Sequence, residues 1–207
     1  ALVGKGDTVF ADKLNHASLN DAMLLSRAEV QRYRHNDMAQ LAMLLEKTRS
    51  GRKLIITDAV FSMDGDLAPL PELLALCEQH DAWLLVDDAH GFGVLGEQGR
   101  GSLAHFGIAS QRIIYMATLG KAAGVFGAFV AAEQVVIDTL INHARSYVYT
   151  TATPPALASA LQESLRLIAQ GNESRAHLQR LIARLRSGLH SLPWRLMPSA
   201  TAIQPLL

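Results

Sequence analysis

One cysteine, Cys77, stands in the 207 residues, so no disulfide can close within the chain. That usage fits a reducing compartment, and the cytoplasm is the expected location. Net charge is missing too, because 19 Lys and Arg balance 19 Asp and Glu. This balance gives no footprint for a nucleic acid and no reason to expect a membrane surface as partner. No apolar run reaches the roughly 18 residues of a membrane span. The opening "ALVGKGDTVFAD" lacks the charged, apolar and small-residue order of a signal peptide. Internal repeats and low-complexity tracts are absent. There is no initiator Met, and "TAIQPLL" stops on apolar residues, so the expectation is an internal piece of a longer protein. What is present is a 49% hydrophobic chain, enough for one large domain and the start of a second.

Short strand-like runs alternate with helical spacing. Strands are expected at residues 7–12, 31–36, 53–61, 82–89, 112–119 and 127–133. Helices are expected at 17–29, 37–49 and 70–80, with Asp37 and Pro71 as start signals. Residues 133–190 read as helices interrupted by "TTATPP" and Gly171, and the place of Cys77 in "PELLALCEQH" suggests a buried helix face. The alternation predicts an α/β domain on a mainly parallel sheet flanked by helices, spanning residues 1–190 and incomplete at both ends. Residues 191–207 read as a linker and the first strand of a second domain.

Three motifs fail on inspection. "GFGVLG" (Gly91–Gly96) matches the dinucleotide pattern G-x-G-x-x-G, but the acid expected about 20 residues later has no counterpart, since residues 98–132 hold neither Asp nor Glu. Gly99 and Gly101 also favour a loop there over a helix start. "LLVDDAH" with Gly120-Lys121 is no phosphate loop, because Tyr115 replaces its first glycine and Ala122 its hydroxyl residue. "SMDGD" lacks the further ligands of a calcium loop, so a tight turn at Gly65 is expected and no metal.

In a parallel sheet the carboxyl ends of the strands share one edge, where ligands bind. "FSMDGD", "VDDAHG" and "TLGK" all fall there. The run "MATLGKAAGVFGAFVAA" carries one lysine, Lys121, among small and apolar residues. Desolvation there is expected to favour the neutral amine that attacks a carbonyl. An aldehyde cofactor held as a Schiff base fits a lysine of this kind. Asp87 or Asp88 is available to pair with a pyridine nitrogen and keep it protonated. Strand alternation allows only one of them to face the ring, Asp87 lying with Leu85 and Asp88 with Val86. Taken singly, each residue also has an ordinary explanation: Ser62 caps a turn, Asp87 holds an amide, His16 caps the following helix.

"VFSMDGDLAPL", "LLVDDAHGFGVLGEQGRG" and "TLGKAAGVFGAF", supported by "NHASLNDA" and "RHNDMAQL", resemble the α-oxoamine synthases, pyridoxal-phosphate enzymes of the fold type I aminotransferase group. The resemblance runs over nearly the whole chain. It implies the large domain of fold type I transferases, with pyridoxal 5'-phosphate attached to Lys121 and Asp87 on the pyridine nitrogen. It further implies His90 on the phenolic oxygen, His16 stacked on the ring, and Ser62 and Thr118 lining the site, Thr118 beside the phosphate. "YTTATPP" matches the segment that reaches the neighbouring subunit's phosphate in a homodimer, which makes Thr151 a candidate. Asp88 is expected only to tether the turn leading to His90. The implied reaction is a decarboxylative condensation of L-alanine with pimeloyl-CoA or its carrier-protein equivalent.

Other family reactions yield aminolevulinate, aminoketobutyrate or a sphingoid base, and a non-catalytic dimerising or nucleotide-binding module is the remaining class. Two residues depart from the family's pattern: Asp58 where many relatives have Glu, and Ala123 where a larger apolar residue is common. The upstream turn that holds the phosphate and the downstream carboxylate-binding arginine are not among these residues. This stretch is therefore not expected to catalyse alone.

Overall fold

The computed structural model describes residues 1–49, 51–190 and 193–207. Five parallel strands, β1 (Thr8–Asp12), β2 (Glu29–Tyr33), β3 (Lys53–Asp58), β4 (Ala82–Asp87) and β5 (Ile113–Thr118), are joined by β6 (Ala128–Ala131). β6 runs antiparallel to β5, and the spatial order is β2-β1-β3-β4-β5-β6. Helices α1 (Ala17–Ser26), α2 (Met38–Lys47) and α3 (Leu70–Gln79) connect the first four strands. Beyond them come α4 (Ser102–Phe106), α5 (Gln134–His143), α6 (Arg145–Val148), α7 (Pro155–Gln170) and α8 (Asn172–Leu189).

The inner strands read as unbroken apolar runs because both sheet faces are covered. Phe10, Ile55, Leu84, Val86 and Tyr115 pack on one face against Leu41 and Leu45 of α2 and Leu70, Leu73 and Cys77 of α3. Val9, Ala11, Leu54, Ile56 and Ile114 pack on the other against Leu19 and Met23 of α1 and Val136 of α5. Cys77 is fully buried, as its helix pattern suggested.

Most boundaries fall inside the expected ranges, and each shortening has a local cause. The run at 53–61 stops pairing as β3 at Asp58, after which Ala59 N–H turns to the carbonyl of Asp87 and Val60 bridges Leu67. The run at 31–36 is displaced to Glu29–Tyr33 because Asn36 adopts a left-handed φ of 53°. α1 ends three residues early on Arg27, whose φ is 60°. Asp37 does start α2, its carboxylate accepting the Gln40 N–H at 2.8 Å. Pro71 lies in the first turn of α3, where a missing N–H is harmless. The stretch expected as loop after Gly96 instead contains a 3-10 turn, Glu97–Gly99, and the short helix α4. Its glycines punctuate it, since Gly96, Gly99 and Gly101 all have positive φ.

The expected domain boundary falls on residues 191 and 192, outside the described residues. Beyond it, Leu196 and Leu206 form an isolated antiparallel bridge, and the hydroxyls of Ser199 and Thr201 donate to the carbonyl of Gly65 at 2.7 and 2.9 Å.

Gly101 shows how tightly the layer behind β4 is built. Its φ is +86°, and a Cβ there would fall on Asp88 Oδ2 and the Tyr115 hydroxyl. Gly101→Ala is expected to destabilise the fold by more than about 2 kcal/mol, from strain and overpacking together, as measured by urea unfolding.

Candidate active site

Four strand ends converge because β1, β3, β4 and β5 are parallel neighbours. Past β1 the chain delivers Asn15 and His16, past β3 it delivers Asp58 and Ser62, past β4 Asp87 to His90, and past β5 Thr118 to Lys121. Asp58 and Asp87 are register partners on adjacent strands, so their side chains share a face.

Asp87 is buried at the end of β4. Its Oδ1 accepts the Ala89 N–H at 3.1 Å, while Oδ2 has no donor among the described residues. Burial pushes its carboxyl up, and the Ala89 N–H and the charges of Lys121 and His16 pull the other way. Asp88 faces the opposite side, as alternation requires. Its carboxylate is saturated: Ser102 N–H donates at 2.7 Å, Ser102 Oγ at 2.6 Å and Tyr115 Oη at 2.7 Å. Burial raises the Asp88 carboxyl and these donors oppose it. The expectation that Asp88 tethers the turn to His90 holds for its backbone, whose carbonyl accepts from Gly91 and Phe92 N–H. Its side chain does something else, tying β4 to β5 and the start of α4.

His90 is half-buried, and burial, followed by the charges of Lys121 and His16, holds its pKa down. His16 is exposed and caps α1, with Nδ1 accepting from Ser18 N–H at 3.3 Å. Its backbone N–H donates to Asp58 Oδ2 at 2.7 Å. Both ordinary roles, the helix cap and the held amide, are therefore present, and they fix His16 and Asp87 without using up Asp87 Oδ2 or His16 Nε2.

Lys121 departs from expectation in one respect. It is exposed, and its apolar neighbours do not enclose it, Ala122 being exposed and Phe126 73% exposed. It sits on the loop linking β5 to edge strand β6, closed by Leu119 N–H on Gly127 and Val125 N–H on Leu119. The loop is only partly covered: Ser164 Oγ of α7 donates to the Ala123 carbonyl at 2.6 Å and Ala123 is buried, while Lys121 and Ala122 are exposed. Its amine makes no hydrogen bond among the described residues.

Thr118 Oγ1 donates to the Gly127 carbonyl at 3.3 Å and stays half-buried. Ser62 rides on the Phe61–Asp66 turn, whose Gly65 has φ +73° as the turn reading required. That turn is braced from the loop after β2, where His35 Nε2 and Asn36 Nδ2 lie 2.8 and 3.0 Å from Asp66 Oδ2. Thr151 lies on the exposed stretch between α6 and α7, and no hydrogen bond ties it to the cluster among the described residues. Sequence reasoning missed two contributors, Asn15 and the side chain of Asp58. The signal for both was adjacency: Asn15 directly precedes His16, and Asp58 is aligned with Asp87.

The arrangement offers a free carboxylate oxygen, an accessible amine and two imidazoles around one sheet edge. That donor set fits an aldehyde cofactor with a basic ring nitrogen.

Comparison with known proteins points the same way. The 8-amino-7-oxononanoate synthase of Nitrosospira multiformis is 67% identical over 207 residues, covering 100% of this chain and 52% of that protein. That of Chromobacterium violaceum is 64% identical, covering 100% and 54%. The chain thus spans about half the length of the curated relatives it matches. Among solved structures, a serine palmitoyltransferase from S. paucimobilis superposes with TM-score 0.94 at 32% identity, covering 100% of this chain and 54% of that one. The 8-amino-7-oxononanoate synthase of Francisella tularensis gives TM-score 0.83 at 36% identity, covering 95% and 57%. These relatives bear out the resemblance read from the motifs. The family model of aminotransferase class I and II matches residues 1–207, and the chain belongs to that family.

Proposed function

We propose that the whole protein is a pyridoxal-phosphate-dependent acyltransferase that condenses L-alanine with a pimeloyl thioester, with loss of CO₂, to give 8-amino-7-oxononanoate for biotin synthesis. The observation that carries this is the convergence of Lys121, Asp87, His16 and His90 on one sheet edge, in a chain 67% identical to a synthase of that name. Pyridoxal phosphate supplies an electrophilic aldehyde and an electron-withdrawing ring when bound.

The chain's own residues do the rest. The Lys121 amine would hold the cofactor aldehyde, and as a free amine it would serve as the base for the Cα proton of the amino acid. Asp87 Oδ2 holds a proton on the ring nitrogen, which burial of the carboxylate makes a strong interaction. His90 donates to the phenolic oxygen. His16 stacks on the ring and keeps the substrate carboxylate in register. Ser62 and Thr118 line the site, Thr118 beside the phosphate, and Thr151 reaches the phosphate of a second subunit in a homodimer. Residues 1–190 form the cofactor-binding domain and residues 191–207 the linker and first strand of another. No helix among the described residues is long and apolar enough to cross a membrane, and a cytoplasmic location accords with the single buried cysteine.

A related condensation by a glycine C-acetyltransferase, 5-aminolevulinate synthase or serine palmitoyltransferase type of enzyme is the second reading, since a serine palmitoyltransferase shares the fold at 32% identity. Assay of the full-length protein with alanine, glycine and serine against several acyl thioesters separates them. Alanine with a pimeloyl thioester is expected to be preferred by at least about tenfold in kcat/KM, the discrimination a single methyl group can supply. Faster turnover of glycine with succinyl-CoA overturns the substrate assignment and leaves the family intact.

A further inference from the structure

β1 stops pairing with β3 at Ala11 and Ile56, and the chain then turns away from the sheet. The next ladder position would have used the Ile56 carbonyl and the Asp58 N–H, the two groups flanking Thr57. Both are taken instead by one side chain. Asn15 Nδ2 donates to the Ile56 carbonyl at 2.9 Å, and Asn15 Oδ1 accepts the Asp58 N–H at 3.3 Å. A buried carboxamide here replaces a peptide group. Asp58 returns the contact from the other side, its Oδ2 accepting His16 N–H at 2.7 Å. Asn20 Nδ2 closes the turn onto the Asn15 carbonyl at 3.1 Å.

We propose that Asn15 and Asp58 are positioning residues, a two-part latch that seats His16 beside Asp87 and so sets where its imidazole meets a bound cofactor ring. The role of the ring rests on the cofactor reading above; the latch itself does not. His16 is fixed twice, by its backbone through Asp58 and by its ring through Ser18, whose N–H and Oγ lie 3.3 and 2.8 Å from Nδ1. A backbone N–H can only donate, so Nδ1 accepts it and the proton of the neutral ring lies on Nε2. The burial of Asp58 argues that it is kept for more than solubility. It is 4% exposed, opposite another carboxylate, and burial first and Asp87 as well push its carboxyl up to about 6 against the pull of the His16 N–H. An apolar residue there would avoid that cost.

The test uses full-length protein and two readouts. In cofactor-free protein, amide exchange of the peptide containing His16 is measured. In protein given pyridoxal phosphate, visible-region circular dichroism of the bound chromophore is measured alongside cofactor stoichiometry. Asp58→Leu removes the acceptor and is expected to speed His16 exchange by at least about tenfold, the worth of one buried hydrogen bond. It should also halve the visible dichroism, roughly, with stoichiometry unchanged. Asp58→Asn keeps an acceptor oxygen and is expected to behave as wild type in both. If Asp58→Leu fails to fold, Asn15→Ser, which deletes both carboxamide bonds without touching the apolar core, is read in its place. Wild-type exchange and dichroism in Asp58→Leu, or in Asn15→Ser where that is read in its place, overturn the latch. A wild-type protein that takes up no pyridoxal phosphate overturns the cofactor reading instead, and the exchange measurement still decides the latch.

Discussion

Lys121→Ala in the full-length protein is expected to end covalent capture of pyridoxal phosphate and to lower turnover by at least about a thousandfold, since attachment and proton transfer are lost together. Borohydride reduction followed by peptide mapping checks it: the wild type should carry the label on Lys121 and the variant should carry none. The fold should be unaffected. Lys121 is exposed and its amine makes no hydrogen bond among the described residues, so its removal leaves nothing buried without a partner. A label on Lys5, Lys13, Lys47 or Lys53 in the wild type would sink the assignment.

The adjacent aspartates should fail in different ways. Asp87→Asn preserves an oxygen for the Ala89 N–H but cannot hold a proton on a ring nitrogen. Loss of such preorganised electrostatic stabilisation is worth about 4 kcal/mol, roughly a thousandfold in rate. Asp88→Asn meets a cage of donors, Ser102 N–H, Ser102 Oγ and Tyr115 Oη, and its amide nitrogen must face at least one of them. It should lower stability by about 1–3 kcal/mol while the folded fraction retains most activity. Cα proton exchange of alanine, which needs no acyl donor, reports the first loss, and urea unfolding the second. Equal exchange rates in the two variants, or a larger loss for Asp88→Asn, would show that the wrong carboxylate had been assigned.

Alternation along "LLVDDAH" sufficed to send Asp87 and Asp88 to opposite sides, and strand ends in a parallel sheet sufficed to gather His16, Asp87, His90 and Lys121. Strand and helix identities were legible because both sheet faces are buried and the apolar runs are unbroken. Less legible was anything set by contacts distant in sequence. Asn15 completes a ladder with residues more than forty positions away, and its place directly before His16 gives no hint of those partners. The exposure of Lys121 was misread for a related reason. Apolar neighbours in sequence need not enclose a side chain: Ala123 is buried and its carbonyl accepts from Ser164 of α7, while Lys121 and Ala122 on the same loop are exposed. Helix α4 hid behind three glycines whose positive φ values shape the turn before it rather than prevent it.

The spatial order of the strands has a consequence in time. β1 and β2 pair first along the chain, and β3, β4, β5 and β6 then each add beside a strand made earlier, always at the same growing side. As the chain is made, each of β3 to β6 therefore finds its neighbour already synthesised, and among the described strands only the step from β2 back to β1's far side skips a neighbour. The groups of the proposed site arrive in that same sequence, with the His16 turn first, Asp58 and Asp87 next, and Lys121 last, after the strands beside it have been made.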